Sequence, residues 1–158
     1  MKKIISILLS FSLLFVYVQP VNAAPKTLSD VEYLEDGSYF VTTIDVDTSS
    51  SSSLLRSAAA TCSGNKTVTY KSSSGSSLWS VTVKGSFSYV RGSSATCTSS
   101  TVSTSVYSAS WKINNKYASR SGRTASATAT GSQYMGGKAI GSITKTVSLT
   151  CSVNGVLS

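Results

Sequence analysis

Leu78-Trp79-Ser80-Val81-Thr82-Val83-Lys84-Gly85-Ser86-Phe87-Ser88-Tyr89 decides the fold class. Trp79, Val81, Val83, Phe87 and Tyr89 share one parity, and Ser80, Thr82, Lys84, Ser86 and Ser88 share the other. A period of two with apolar residues on one side only is a half-buried β-strand. Gly85 sits in the middle of it, where a glycine marks a bulge or a bend. Outward from there the period persists. Val68 and Tyr70 alternate with Thr67, Thr69 and Lys71, and Ser72 to Ser77 reads as the intervening loop.

Later stretches follow the same rule. Tyr107, Ala109, Trp111, Ile113 and Tyr117 fall on one face, with Lys112, Asn114 and Lys116 on the other. Ala125, Ala127 and Ala129 alternate with Ser126, Thr128 and Thr130. Ile143, Val147, Leu149, Cys151 and Val153 alternate with hydroxyl residues, and Lys145 breaks their pattern, as an edge position or a bulge would allow. Arg91-Gly92 and Ser121-Gly122-Arg123 read as turns. Several alternating strands joined by Gly-containing turns predict a mainly-β fold. The expectation is an antiparallel β-sandwich, immunoglobulin-like, with a small β-barrel as the alternative.

The N-terminus predicts export. Lys2 and Lys3 precede an apolar run from Ile4 to Val18, and Val21 and Ala23 meet the small-residue requirement of signal peptidase, so cleavage is expected after Ala23. The run is about 15 residues, shorter than the roughly 20 that span a bilayer. The C-terminal Asn154 to Ser158 reads as neither apolar tail nor anchor. Removing Lys2 and Lys3 takes the formal charge from +8 to +6. The mature chain is expected to be soluble and extracellular.

Charge is distributed unevenly. Asp30, Glu32, Glu35, Asp36, Asp45 and Asp47 all precede residue 48, and from Arg56 onward there are eleven Lys or Arg and no carboxylate. The organisation read from this is a signal peptide at 1–23, an acidic segment at 24–47, a Ser-rich linker at 48–61 and a cationic β-domain at 62–158. Within the acidic segment, Asp36-Gly37 is a turn signal and 39–46 reads as a strand. That strand is expected to dock on a sheet edge of the cationic domain. Leu54 to Thr61 has the composition of a short helical turn.

The phrases Leu34-Glu35-Asp36-Gly37-Ser38-Tyr39, Leu78 to Phe87 and Thr146-Val147-Ser148-Leu149-Thr150-Cys151 resemble small secreted β-proteins of Gram-positive Firmicutes. The resemblance implies an extracellular compartment and a single domain. It carries over no catalytic residue.

Chemistry is limited by what is missing. The chain has no His, which removes the usual general base and the nucleophile–histidine arrangements. Asp45 and Asp47 share strand parity but read as a solvated strand end. No spacing singles out a Ser-Lys dyad, a metal-ligand cluster or a cofactor-binding motif. The reading is non-enzymatic. Cys62, Cys97 and Cys151 allow three pairings, and in an exported protein a disulfide is expected. Cys97–Cys151 is favoured, because Cys151 points inward and Cys62 sits at the linker. Such a link stabilises by about 4 kcal/mol on a chain-entropy model. Three buried free thiols are the alternative.

Lys71, Lys84, Lys112, Lys116, Arg120 and Arg123 form the candidate anionic-ligand face. Their plainer reading is a set of solvated positions that keep sheet edges apart. The partners considered are anionic cell-wall polymer, acidic glycan and anionic lipid head groups. Nucleic acid is disfavoured, because Trp79 and Trp111 take the core parity and leave no stacking platform. Tyr134, in the stretch 131–137, reads as an exposed loop residue that could form a sugar platform. A membrane-active effector is the competing class, but Gly85 interrupts the apolar face that a membrane hairpin needs.

Overall fold

The structure is a computed structural model and describes residues 28–47 and 59–158. The signal peptide read at 1–23 and the stretch 48–58 lie outside the described residues. Eight strands follow in order: β1 (Leu28–Tyr33), β2 (Tyr39–Val46), β3 (Ala60–Lys71), β4 (Ser77–Val90), β5 (Ser94–Val106), β6 (Trp111–Ser121), β7 (Thr124–Met135) and β8 (Lys138–Thr150). They form two antiparallel sheets, β1-β2-β3-β4-β5 and β6-β7-β8. The sheets face one another as a sandwich and do not close into a barrel.

Each sheet is a simple meander, so sequence neighbours are also spatial neighbours. An immunoglobulin-like arrangement interleaves its sheets through Greek-key connections. Here the chain completes one sheet before starting the other, which corrects that finer expectation. The acidic segment supplies two strands rather than one, and both extend the five-stranded sheet through β2–β3 pairing. β3 begins at Ala60, inside the stretch read as linker.

The core follows from β4. Trp79, Val81, Val83 and Phe87 are wholly buried. They project onto β7, whose inward residues are Ala125, Ala127, Ala129 and Gly131. Large side chains on one sheet meet small ones on the other, which lets the layers interdigitate. A Cβ on Gly131 would stand 2.7 Å from the Trp79 indole. Gly85 has a similar cause: a Cβ there would stand 2.7 Å from the Phe87 ring, and the β4–β5 register shifts beside it, between Ser86 and Phe87.

The outward residues of β7 and β8 pair across the strands. Thr128 and Thr146, and Thr130 and Thr144, are each 2.8 Å apart, and Ser126 and Ser148 are 2.9 Å apart, hydroxyl to hydroxyl. The hydroxyl-rich composition thus satisfies itself laterally on the outer face.

Candidate functional site

The β6 edge carries most of the sequence-predicted cations. β6 is an edge strand of the three-stranded sheet, and Lys112, Lys116, Arg120 and, in the turn that follows, Arg123 succeed one another along it, all exposed. The register to β7 shifts between Ile113 and Asn115. Before the shift Ile113 lies opposite Gly131, and after it Lys116 lies opposite Ala129. This bulge corrects the single parity expected for the stretch. Tyr117 turns outward and is 54% exposed, while Lys116 and Arg120 turn towards β5.

Partners differ along the stripe. Lys112 Nζ sits 5.0 Å from the centre of the Tyr134 ring, a cation–π contact. Lys116 Nζ donates to Thr104 Oγ1 at 3.5 Å. The Arg120 guanidinium donates to the carbonyls of Thr98 and Cys97 on β5. Tyr134 therefore belongs to the end of β7 and is half-buried, where an exposed loop platform was expected. Lys71 and Lys84 are placed elsewhere, on the outer face of the five-stranded sheet, and Lys71 Nζ reaches the Gly75 carbonyl at 3.4 Å. The six expected cations do not share one face: Lys112, opposite Ser132, points to the outer face, Lys116 and Arg120, opposite Ala129 and Ala125, turn towards β5, Arg123 lies in the turn after β6, and Lys71 and Lys84 lie on the other sheet.

A cleft of about 530 Å³ opens on the opposite margin, between β8 and the inner face of β1–β3. Five strands face three, so β1 and β2 overhang β8. Ile44, Val68 and Val147 contribute apolar wall, and Asp30, Glu32, Lys66 and Lys145 bring charge. Lys145 has inward parity, and here that parity makes sense. Its ammonium lies 4.2 Å from the centre of the Phe40 ring and 2.6 Å from Glu32 Oε2. Of the two causes that periodicity allows for Lys145, an edge position or a bulge, the structure shows the edge: among the described residues no strand lies beyond β8 in its sheet. Lys66 shares the inward parity of Val68, and that parity is the sequence signal for its place in the cleft.

A smaller polar cavity of about 250 Å³ lies near the β1–β2 turn, lined by Asp36, Ser38, Tyr70 and Trp111 among others. The Ser38 hydroxyl and amide hold the Asp36 carboxyl below its ordinary range. Asp47 accepts a hydrogen bond from Ser63 Oγ at 2.9 Å, and Asp45 is exposed. Among the described residues, no three His, Cys, Asp or Glu side chains converge as a metal site. Among them, no helix is long and apolar enough to cross a membrane. The strand considered for membrane insertion, β4, lies between β3 and β5 with its apolar face buried.

The cysteines are all buried, and two of them meet. Cys62 Sγ and Cys151 Sγ are 3.3 Å apart, while Cys97 Sγ donates to the Ser99 carbonyl at 3.2 Å. This differs from the expected Cys97–Cys151 pairing. Cys62 is not at a linker edge but inside β3. Burial, and then the neighbouring Cys62 thiol, push the Cys151 pKa up to about 12. A comparison with protein-family models, curated proteins and solved structures finds no match.

Proposed function

We propose that the protein is an exported, non-enzymatic β-sandwich that binds an anionic extracellular polymer along the β6 edge. The observation that carries this reading is the charge layout. The six carboxylates lie on β1, β2 and their adjoining turns, whereas Lys112, Lys116, Arg120 and Arg123 follow one another along a different edge. Among the described residues the only ion pair is Lys145–Glu32, so the four β6 cations have no carboxylate to neutralise them. Lys112, Lys116 and Arg120 stand four residues apart, about 13 Å along an extended strand, and Arg123 follows in the turn. A linear polymer with repeated phosphodiester or carboxylate charges matches a stripe of that kind better than a small ligand does. The absence of His supports a binding rather than a catalytic role.

The attraction is Coulombic and is screened over about 8 Å at physiological ionic strength. Retention on an immobilised glycerol-phosphate polymer tests it. A cation beside an anionic surface contributes about 1 kcal/mol, so Lys112→Gln/Lys116→Gln/Arg123→Gln is expected to lose roughly a hundredfold in affinity at low salt. Arg120 is left intact because it also ties β6 to β5. Lys71→Gln/Lys84→Gln, off the stripe, is expected to lose less than tenfold. Equal losses in the two variants, or retention indifferent to salt between about 50 and 500 mM, would sink the proposal.

A further inference from the structure

We propose that Cys62 and Cys151 are a disulfide-forming pair that covalently joins the two sheets, with Cys97 as the thiol left free. The argument rests on register. Cys62 on β3 lies opposite Phe87 on β4, and Phe87 lies opposite Cys97 on β5. All three residues are buried and belong to one row across the five-stranded sheet. Neighbouring strands are about 4.8 Å apart, so the Cα atoms of Cys62 and Cys97 are separated by roughly 9.5 Å, beyond the reach of a disulfide. Any link must therefore cross to Cys151, which follows β8 in the other sheet. Cys151 Sγ already touches Cys62 Sγ at 3.3 Å. Cys97 Sγ is turned to the carbonyl of Ser99 in its own strand.

Cys151 is also fixed from behind. Its amide donates to the Arg123 carbonyl at 3.0 Å, and it bridges to Leu157. The two sulfurs thus meet between anchored backbones, and small side-chain rotations close the remaining gap. The bond forms when each thiol loses a proton and the pair loses two electrons. A disulfide oxidant accepts them: its own sulfur–sulfur bond breaks and leaves as two thiols. In the cell that oxidant is an extracytoplasmic thiol–disulfide oxidoreductase, and this part rests on the export reading. In a tube glutathione disulfide serves.

The test separates the two readings. Full-chain protein made in a reducing cytosol is incubated with glutathione disulfide, alkylated under denaturing non-reducing conditions, digested and mapped. The expected result is a Cys62–Cys151 linked peptide and alkylated Cys97. Cys97→Ser is expected to keep the link. The oxidised chain is expected to melt about 10 °C above the reduced one, because the closed loop spans most of the domain. Oxidation of the folded reduced protein is expected to be slower than that of the urea-unfolded chain by roughly one to two orders of magnitude, because burial keeps the oxidant from both sulfurs and pushes the Cys151 thiol pKa up. A Cys97–Cys151 link, a Cys62–Cys97 link, or three alkylated thiols after prolonged oxidation overturns the inference. Absence of the protein from the culture medium of a Gram-positive expression host, together with a correct link in the tube, overturns export and leaves the inference standing.

Discussion

The two long margins of this sandwich are built differently. At the β5–β6 margin the sheets are stitched together. The Cys97 amide donates to the Gly122 carbonyl at 2.8 Å, Ser100 Oγ donates to the Ser126 carbonyl at 3.2 Å, and Arg120 reaches two β5 carbonyls. At the other margin, β8 faces the overhanging β1 and β2 across a cleft, and one ion pair spans it. Connectivity explains the difference. The short connection 107–110 sets β6 beside β5, pinned by the Tyr107 amide on the Leu78 carbonyl at 2.9 Å. Three strands laid from that side run out before the fifth strand is covered. The unmatched strands are the acidic ones, and the cation that reaches them is Lys145.

The largest expected effect lies under the overhang. Phe40 on β2 is buried, 5.1 Å from the Tyr70 ring and 6.5 Å from Trp79, centre to centre. If β2 is as much a part of the core as the stitched side, Phe40→Ala costs about 3–4 kcal/mol in urea unfolding. A cost below about 1 kcal/mol would mean that β1 and β2 are an appendage. Val31 on β1 is 44% exposed, and Val31→Ala serves as the control with little effect.

How much of this was legible beforehand depends on which contacts decide a position. Trp79, Val81, Val83 and Phe87 were read as core because burial on one face imposes a strict period of two within a strand. The strand 39–46 follows from a different signal, the Asp36-Gly37 turn between apolar stretches, and matches β2. In the polar strand β5 the sequence places only Cys97 in a strand region and shows no alternation that sets the strand's bounds. Its Ser and Thr residues fit a loop as well as a sheet surface, and it is a strand because β4 presents it a full ladder. The bulge at Ile113–Asn115 was invisible because Asn-Asn satisfies either parity. The cysteine partner was invisible because it depends on the register of three strands and on the placement of the opposite sheet. The sequence names the cations of the candidate face. Their division between the β6 margin and the five-stranded sheet depends on the bulge and on strand placement, which periodicity does not carry.

A smaller effect is expected at the stitched margin itself. Arg120→Ala removes the guanidinium that donates to Thr98 and Cys97 carbonyls. Those carbonyls are near water, so the loss is about 1 kcal/mol rather than the larger cost of a buried charged hydrogen bond. Amides on β6 should then exchange with solvent faster than those on β4. Unchanged exchange on β6 would show that backbone contacts such as Cys97–Gly122 hold the margin unaided.

The smallest effect concerns the one ion pair on the open margin, and its informative feature is asymmetry. Lys145 has 19% of its side chain exposed and Glu32 has 60%. Removing Glu32 leaves a partly desolvated ammonium with the Phe40 ring as its remaining direct contact and Asp30 elsewhere in the cleft. Removing Lys145 leaves a carboxylate that water already solvates. Methionine at 145 also keeps contact with the ring through its polarizable sulfur. Glu32→Gln is therefore expected to cost about 0.5–1 kcal/mol, and Lys145→Met less than about 0.5 kcal/mol. A double-mutant cycle should give a coupling under about 1 kcal/mol that shrinks between 0.1 and 1 M salt, where the screening length falls from about 10 to about 3 Å. The reverse order, with Lys145→Met the costlier change, would mean that the Lys145 stem closes the cleft by packing. The open margin would then be held by apolar contact, as the core is, and the contrast between the two margins would be one of degree.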